Sequence, residues 1–543
     1  MKPGSPQSPG VLAGALTGVM LTAPLLIALL LGHQLAGLAF PPFDLFDWTA
    51  RRIPGPLITF GIDTMVAAIR ALGLGEISNA AKTGEQTMAV TGSLLIGAGA
   101  GAVFFGVLRW RPVGWPSHLA GGVLGAVIGC VLAAISWRID RTATASPLAS
   151  AVWIVATYTA WGMVLSWARQ RLQSRTSTTA QGADASAAAI DRRRFVVRLG
   201  GATALITVAG AGVSAWLATT READRAPAGR AWSATHPLPN AGAAVEPVPG
   251  TRPELTPVAD HYRIDINTSP PVVREEDWRL RVEGLVERPL EWSLAELQRF
   301  EPLHQFITLA CISNPLGGSL TSTQRWTGVP LQRILAEVRP QPMASHLRIR
   351  SVDDFHEVIP IADVMADPRI MLTYAWDGLP LPVGHGFPLR IYRPDRYGMK
   401  QPKWIRSIEA IAQDEAGYWV RRGWDRQARM KATSVIDTVG VDMMLSGADR
   451  TTRIPIGGIA HAGARGISRV EVQVDGGEWQ AAALREPLSD RTWVLWRFEW
   501  PFQPGDHTFT VRCFERDGTP QIAARSPVRP SGATGLDHED VML

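Results

Sequence analysis

The sequence predicts a bundle of membrane helices, followed by an α+β domain and then by a C-terminal β-sandwich. Three observations predict this order. Long apolar stretches with few acidic residues fill residues 1–218. Residues 219–257 are rich in proline, alanine and glycine and lack periodicity, which is typical of a linker. Beyond them, short alternating stretches and turn residues dominate, as in a folded domain outside the bilayer.

Five stretches are apolar and long enough to span a bilayer, which takes about 20 helical residues. They are Val11–Phe40, Met88–Leu108, His118–Ser136, Leu148–Trp167 and Phe195–Leu217. Residues 53–74 are also apolar but include Asp63 and Arg70, so an interfacial helix suits them as well as a sixth span. We therefore expect a multi-pass protein of the inner (cytoplasmic) membrane.

Arginines between the fourth and fifth stretches set the expected orientation. Arg169, Arg171, Arg175 and the triplet at 192–194 lie in this link, and such arginines stay on the cytoplasmic side. The fifth span then leads outward, which places the rest of the chain on the periplasmic or extracellular side. Residues 191–197 (DRRRFVV) resemble a twin-arginine export signal, although an ordinary positive flank explains them too.

Composition excludes several classes of function. The net charge of +5 is explained by arginines beside the spans, and no basic run interleaved with aromatic residues predicts binding to nucleic acid. His33 and His118 are the histidines in or near the spans, and no second pair or Cys-x-x-Cys-His motif accompanies them. We therefore predict no haem.

Residues 258–432 are predicted to form the α+β domain. Trp278–Gly284 alternates like a half-buried strand, whereas Leu331–Val338 has helical spacing. Residues 433–530 alternate in short stretches separated by Gly and Asp turns, which indicates an immunoglobulin-like β-sandwich. Cys513 would point into its core. Residues 531–543 are expected to form a tail.

Cys311 follows a strand-like stretch and opens a turn rich in Asn, Pro and Gly. A lone thiolate in such a turn can bind a metal whose other ligands belong to a cofactor. It can also act as a nucleophile with His304, His356 or His385, or it can be a buried structural residue. The residues themselves leave these alternatives open.

Five motifs in order give the chain a resemblance to the sulfite-oxidase family of molybdopterin enzymes. They are Thr308–Asn314 (TLACISN), Trp326–Leu331 (WTGVPL), Asp377–Pro382 (DGLPLP), His385–Arg390 (HGFPLR) and Tyr397–Trp404 (YGMKQPKW). The resemblance covers about residues 260–530 and implies a molybdenum–molybdopterin cofactor with Cys311 as the metal ligand. The other cofactor-binding residues that it implies are Asp265, Asn267, Asn314, Ser351, His385, Arg390, Lys400, Gln401 and Lys403.

The chain departs from the pattern of animal sulfite oxidases where substrate is handled. Pro315 and Leu316 follow the cysteine motif in place of arginine, and Phe355 takes the place of the active-site tyrosine. Phe355 and the neighbouring His356 are accordingly the predicted catalytic positions beside Cys311. The loss of an arginine and a phenol argues against sulfite, because a desolvated oxyanion needs compensating charge.

The expected function is transfer of an oxygen atom to or from a small substrate, which includes sulfite-like oxyanions. A sulfoxide-type reductase on the same fold is one alternative, and a non-catalytic exported scaffold or adhesion module is another. Electrons would pass to or from a separate partner, a cytochrome or a quinone, because the sequence has no haem-attachment motif or iron–sulfur cysteine set. The resemblance also implies a homodimer formed through the sandwich.

Overall fold

The computed structural model describes residues 9–55, 61, 64, 77–110, 117–173, 183–224, 230–441, 445–446 and 452–543. The chain divides into two compact units. Unit 1 comprises Met1–Ile53, Ala81–Ala226 and Ile266–Val272, and unit 2 comprises Pro54–Ala80, Pro227–Asp265 and Val273–Leu543. Most of the ambiguous stretch at 53–74 lies outside the described residues.

Long helices build unit 1. The N-terminal helices are α1 (Val11–Ala36), α2 (Pro41–Ala50), α3 (Ile77–Trp110), α4 (Ser117–Ile139), α5 (Pro147–Leu172) and α6 (Ala183–Asp224). All but α2 are long and apolar enough to cross a membrane, so the five predicted apolar helices are confirmed. The arginine triplet at 192–194 lies within α6.

Glycines bring these helices into close contact. A Cβ atom added to Gly121 of α4 would lie 2.1 Å from the carbonyl oxygen of Gly162 of α5, and one on Gly18 of α1 would lie 2.2 Å from that of Gly97 of α3. Only residues without a side chain allow helix backbones to approach in this way, and this close packing replaces the hydrophobic driving force that is missing in lipid.

The first part of unit 2 has an α+β fold, as predicted. Its strands are β1 (Leu280–Gly284), β2 (Leu290–Trp292), β3 (Leu303–Ala310), β4 (Thr321–Pro330), β5 (His346–Ser351), β6 (His356–Pro360), β7 (Met371–Trp376), β8 (Leu379–Pro380), β9 (Arg390–Tyr392) and β10 (Ile405–Ile411). One sheet has the order β2-β1-β10-β5-β6, and the other has the order β3-β4-β7-β8 with β9 paired to β7. The helices are α7 (Leu294–Leu297), α8 (Leu331–Val338) and α9 (Ile361–Ala366).

The second part of unit 2 is a sandwich of two antiparallel sheets, which confirms the immunoglobulin-like prediction. Its strands are β11 (Thr433–Val439), β12 (Leu445–Ser446), β13 (Thr452–His461), β14 (Ile467–Val474), β15 (Trp479–Ala481), β16 (Ala483–Leu484), β17 (Val494–Pro501), β18 (Asp506–Glu515) and β19 (Asp537–Met542). The sheets have the orders β11-β13-β17-β16 and β15-β14-β18-β19. Trp496, Phe509 and Cys513 fill the core between them, as expected for Cys513.

Two segments differ from their predicted form. The described part of the linker, from residue 230 onward, packs on unit 2: Val248 is buried, and Arg252 forms an ion pair with Asp437 at 2.8 Å. The tail contributes β19, which pairs with β18. Neither contact shows in residue periodicity, because proline-rich segments pack irregularly and an edge strand is held by backbone hydrogen bonds.

Candidate active site

The β3–β4 hairpin places Cys311. The residue directly follows β3, its amide N–H donates to the carbonyl oxygen of Leu320 at 2.9 Å, and its Sγ lies 3.0 Å from the hydroxyl of Ser313. Burial raises the pKa of the thiol. A metal cation would favour the thiolate instead, so this buried sulfur suits a metal ligand better than a free nucleophile.

Asn314 shapes the loop that follows Cys311. Its amide N–H donates to the carbonyl oxygen of Cys311 at 3.0 Å, and its side-chain oxygen accepts from the amide of Leu320 at 2.9 Å. Gly317 has φ of 73°, a conformation that glycine adopts without strain. The structure thus gives Asn314 a loop-forming role, while its predicted cofactor contact stays a prediction.

A cleft opens beside this loop, bounded on its far side by β11 and β13 of the sandwich. Lys431 and several apolar residues line it, and the lining residue His461 is buried with no hydrogen-bond partner for Nε2 among the described residues. The lining residues include Ala310, Asn314, Pro315, Leu316, Tyr397, Met430, Lys431, Val435, Ile459 and His461.

A second, strongly cationic group of buried side chains, Arg390, Lys403 and Arg263 with Asp265, is built by β9 and the segments around it and is called the cationic pocket below. Arg390 is 4% exposed, and its guanidinium lies 4.6 Å from the ring centre of Trp326. Lys403 Nζ donates to the carbonyl oxygen of Gly384 at 3.0 Å and lies 3.2 Å from the carboxylate of Asp265. Asp265 also pairs with Arg263 at 2.9 Å.

Burial shifts the pKa values of these cations downward. It lowers the pKa of Arg390 to about 10 and that of Lys403 to about 8, although the Asp265 carboxylate opposes the second shift. Nε of Arg390 and Nη2 of Arg263 are buried without hydrogen-bond partners among the described residues. Three cations with a single carboxylate, which pairs with Lys403 and Arg263, and with unpaired donors form a site that favours an anion.

Two imidazoles and three indoles surround the cationic pocket, the indoles being those of Trp326, Trp376 and Trp404. His385 ends a short 3₁₀ turn, Val383–His385, whose first carbonyl oxygen accepts from the indole N–H of Trp404 at 2.8 Å. His261 stacks on Trp376 at 4.2 Å and meets the edge of His385 at 5.1 Å. None of the five sequence motifs includes His261, because the first of them begins at Thr308.

Lys400 and Gln401 are buried next to the pocket-forming segment but are engaged elsewhere. Lys400 Nζ pairs with Glu357 at 3.0 Å, and both side chains are almost fully buried. The amide of Gln401 donates to the carbonyl oxygen of Arg396 at 2.8 Å. These contacts hold the segment in place, and direct cofactor binding by either side chain stays a prediction.

Phe355 and His356 lie at a half-buried aromatic cluster. Phe355 packs against Tyr418 at 5.4 Å, Tyr418 against Trp419 at 5.2 Å, and Trp419 contacts the apolar cluster that contains Ile312. Tyr418 therefore supplies a phenol beside the position where sequence analysis noted its loss, a residue that no motif indicated. The catalytic roles predicted for Phe355 and His356 stay predictions.

The structure does not gather every predicted site residue. The side chain of Asn267 accepts from Arg51 at 2.8 Å in unit 1, and its carbonyl oxygen accepts from Lys82. The segment at 262–267 is not a regular strand, and the cofactor contacts predicted for Asp265 and Asn267 stay predictions. Ser351 is fully buried in β5 with no partner for its hydroxyl among the described residues.

The residues present fit a molybdopterin. The cationic pocket suits a phosphate, and Cys311 would be a single protein ligand, since the described residues include no group of three or more His, Cys, Asp or Glu side chains that could hold a metal. A metal at Cys311 therefore needs ligands from a cofactor. Gly386 has φ of 112°, and a Cβ there would lie 3.1 Å from Cβ of Lys403, so this turn leaves no room for a side chain.

Comparison with known proteins agrees with this site. Residues 267–419 match the family model described as an oxidoreductase molybdopterin binding domain. The mitochondrial sulfite oxidase of Macaca fascicularis is 27% identical over 288 residues, which is 45% of this chain and 52% of that protein. The chain therefore contains a molybdopterin-binding oxidoreductase domain, which implies a molybdenum cofactor. This domain is similar to that of the sulfite oxidase.

Two bacterial relatives carry other names. The catalytic subunit MsrP of a protein-methionine-sulfoxide reductase from Ralstonia nicotianae is 28% identical over 249 residues, 42% of this chain and 71% of that protein. A putative protein-methionine-sulfoxide reductase subunit, YedZ1, from Azospira oryzae is 30% identical over 156 residues, 28% of this chain and 57% of that protein. The chain spans about half the length of most of these relatives, 52% for the sulfite oxidase and 57% for YedZ1.

Proposed function

We propose that this protein is a membrane-attached molybdenum oxidoreductase that transfers an oxygen atom to or from a small substrate outside the cytoplasm. The observation that carries the proposal is the cationic pocket of Arg390, Lys403 and Arg263 in the same domain as a lone, buried Cys311. Oxygen-atom transfer with a two-electron change at the metal is the chemistry that a molybdenum–molybdopterin cofactor supplies when bound.

The chain's own residues have separate tasks in this proposal. Cys311 would donate its thiolate to the metal, while Arg390 and Lys403 would bind the phosphate, Arg390 through a planar fork that can contact two oxygens. The loop formed by Asn314 and Leu320 holds the sulfur in place. The cleft beside the loop admits the substrate and excludes bulk water from its base.

The cleft favours a neutral S-oxide over a sulfite-like dianion. Pro315, Leu316 and Met430 face it, and Arg252 at its edge is paired with Asp437. A buried dianion would need more cationic charge than Lys431 supplies, whereas one ammonium suffices to donate a hydrogen bond to a sulfoxide oxygen. Reduction would consume two electrons and two protons and release a thioether and water; the MsrP relative supports this direction.

The electrons come from a membrane redox partner in this proposal. The five long apolar helices would keep the protein beside a quinone pool or a membrane cytochrome, and the likeness to the YedZ1 subunit supports such a partner.

Metal analysis tests the cofactor. Full-length protein from a host that makes the cofactor should hold about one molybdenum per chain, because Cys311 is the single metal ligand proposed for each chain. Cys311→Ser should lose the metal and keep the pterin, whose phosphate is bound elsewhere. Cys130→Ala in α4 is the matched control and should keep both. A wild-type protein without molybdenum and pterin would overturn the proposal.

Substrate direction is tested on the loaded protein under anaerobic conditions. After reduction with dithionite, methionine sulfoxide should reoxidise the metal centre, as followed by its absorption spectrum. Sulfite should fail to reduce the oxidised protein. The opposite pair of results would refute sulfoxide reduction and support an oxyanion oxidase.

A further inference from the structure

We infer that His261 accepts a hydrogen bond from an N–H group of the pterin ring. This inference rests on the proposed function, because it needs a pterin in the cationic pocket. It concerns a residue that lies six positions before the segment matched by the family model.

The tautomer of His261 follows from its contacts. Nδ1 lies 3.1 Å from the carbonyl oxygen of Tyr262, which can only accept, so Nδ1 carries the proton. In a neutral imidazole, Nε2 is then an unprotonated acceptor. Burial and the nearby charges of Arg390 and Lys403 lower the pKa of His261 to about 3, which keeps the ring neutral at physiological pH.

Nε2 has no partner within the part of the chain that the structure describes, although His261 is only 4% exposed. The ring cannot turn freely, because it stacks on Trp376 at 4.2 Å and meets His385 at 5.1 Å. A buried acceptor without a donor is costly. Its retention at this place indicates a ligand that supplies the donor.

The neighbouring unpaired atoms define the chemistry of that ligand. Nε of Arg390 and Nη2 of Arg263 are buried donors without partners among the described residues, so an anion would satisfy them. His261 Nε2 is an acceptor, so a hydrogen-bond donor would satisfy it. A molybdopterin offers both, since it joins a phosphate to a ring system that carries N–H groups, whereas inorganic phosphate or sulfate would satisfy only the cations.

The test compares two stacked histidines of unit 2. His261→Phe keeps an aromatic ring on Trp376 but removes the acceptor. His236→Phe is the matched control, because His236 stacks on Trp232 at 4.9 Å and is exposed. Full-length proteins from a host that makes the cofactor are assayed for pterin by the fluorescence of its oxidised product. His261→Phe should hold at least about fivefold less pterin, and the control should equal the wild type.

A structural role would give a different result in cofactor-free protein from a host that cannot make the cofactor. There His261→Phe should melt at the same temperature as the wild type or higher, since it removes an unpaired buried atom. His261→Gln, which offers an acceptor oxygen, should recover part of the pterin. Wild-type pterin content in His261→Phe, or a lower melting temperature without cofactor, would overturn the inference, whereas wild-type protein without pterin would overturn the proposed function instead.

Discussion

Among single residues, Lys403 shows how the pocket balances burial against charge. Its ammonium contacts Asp265 and the carbonyl oxygen of Gly384, yet burial brings its pKa down to about 8. The charged form is the one that attracts an anion. Anion binding should therefore weaken as the pH rises through the pKa of Lys403.

Sulfate binding to the cofactor-free protein tests this pH dependence, because the charge of sulfate is constant over the range. Its dissociation constant should rise by up to about tenfold between pH 7 and 9, the limit for loss of one proton. Lys403→Met should bind more weakly and show a flat profile. Lys431→Met, which changes a lysine of the cleft, should keep the slope; an unchanged slope in Lys403→Met would contradict the assignment.

The buried pair of Lys400 and Glu357 has a separate, structural consequence. Lys400→Met leaves the Glu357 carboxylate buried without its partner and should cost about 3–5 kcal/mol of unfolding free energy, as measured by denaturant titration of the full chain in detergent. The double variant Lys400→Met, Glu357→Leu should recover most of this loss. If the double variant were no more stable than the single one, the pair would not be the cause.

The sequence motifs predicted those site residues that lie close in sequence to Gly, Pro and Trp residues. Cys311, His385, Arg390 and Lys403 stand among Gly, Pro and Trp residues that mark turns, and the structure places the last three around one pocket. The motifs did not indicate His261 or Tyr418, because the rings against which they pack, Trp376 and Phe355, lie far away in sequence. Asp265 and Asn267 were named from the resemblance alone, and the structure shows their segment as an irregular stretch.

At the scale of elements, the loop from Cys311 to Leu320 positions the candidate metal ligand. Three hydrogen bonds close this loop: the amide of Asn314 donates to Cys311, the side-chain oxygen of Asn314 accepts from Leu320, and the amide of Cys311 donates to Leu320. The loop should therefore depend on the side-chain oxygen of Asn314.

Replacement of Asn314 tests the loop. Asn314→Ala leaves the amide of Leu320 without its acceptor, so it should cost about 1–3 kcal/mol and lower the molybdenum content of the purified protein. Asn314→Asp keeps an acceptor oxygen and should retain most of the metal. Equal metal content in the alanine variant and the wild type would show that the loop holds its shape by other means.

Periodic elements were predictable, and irregular or edge elements were not. The helix Leu331–Val338 has its observed bounds because Leu331, Ile334, Leu335 and Val338 repeat with the helical period and are buried. Strand β19 consists largely of polar residues, and the packed segment 230–257 has no period at all. Their places are set by backbone pairing and by distant ion pairs, which sequence patterning does not record.

For the whole molecule, orientation in the membrane decides where oxygen transfer takes place. The arginines at the end of α5 and within α6 favour a cytoplasmic position for the link between these helices. The domain that follows α6 should then face outward, which remains a proposal.

Cysteine labelling of spheroplasts tests this orientation. In a Cys130→Ala background, Asp517→Cys, at an exposed turn after β18, should react with a membrane-impermeant maleimide. Gln173→Cys, at the end of α5, should react only after the membrane is permeabilised. The reverse pattern would place oxygen transfer in the cytoplasm.

The indoles of the cationic pocket carry a further consequence. Trp326 and Trp376 are almost fully shielded from solvent, and their N–H groups have no hydrogen-bond partners among the described residues. Such indoles emit at short wavelength, and an absorbing cofactor ring bound in the pocket would quench that emission by resonance energy transfer. Cofactor insertion should therefore lower the blue-edge fluorescence of the protein, while buried indoles of the sandwich, such as Trp496 and Trp500, supply a constant background.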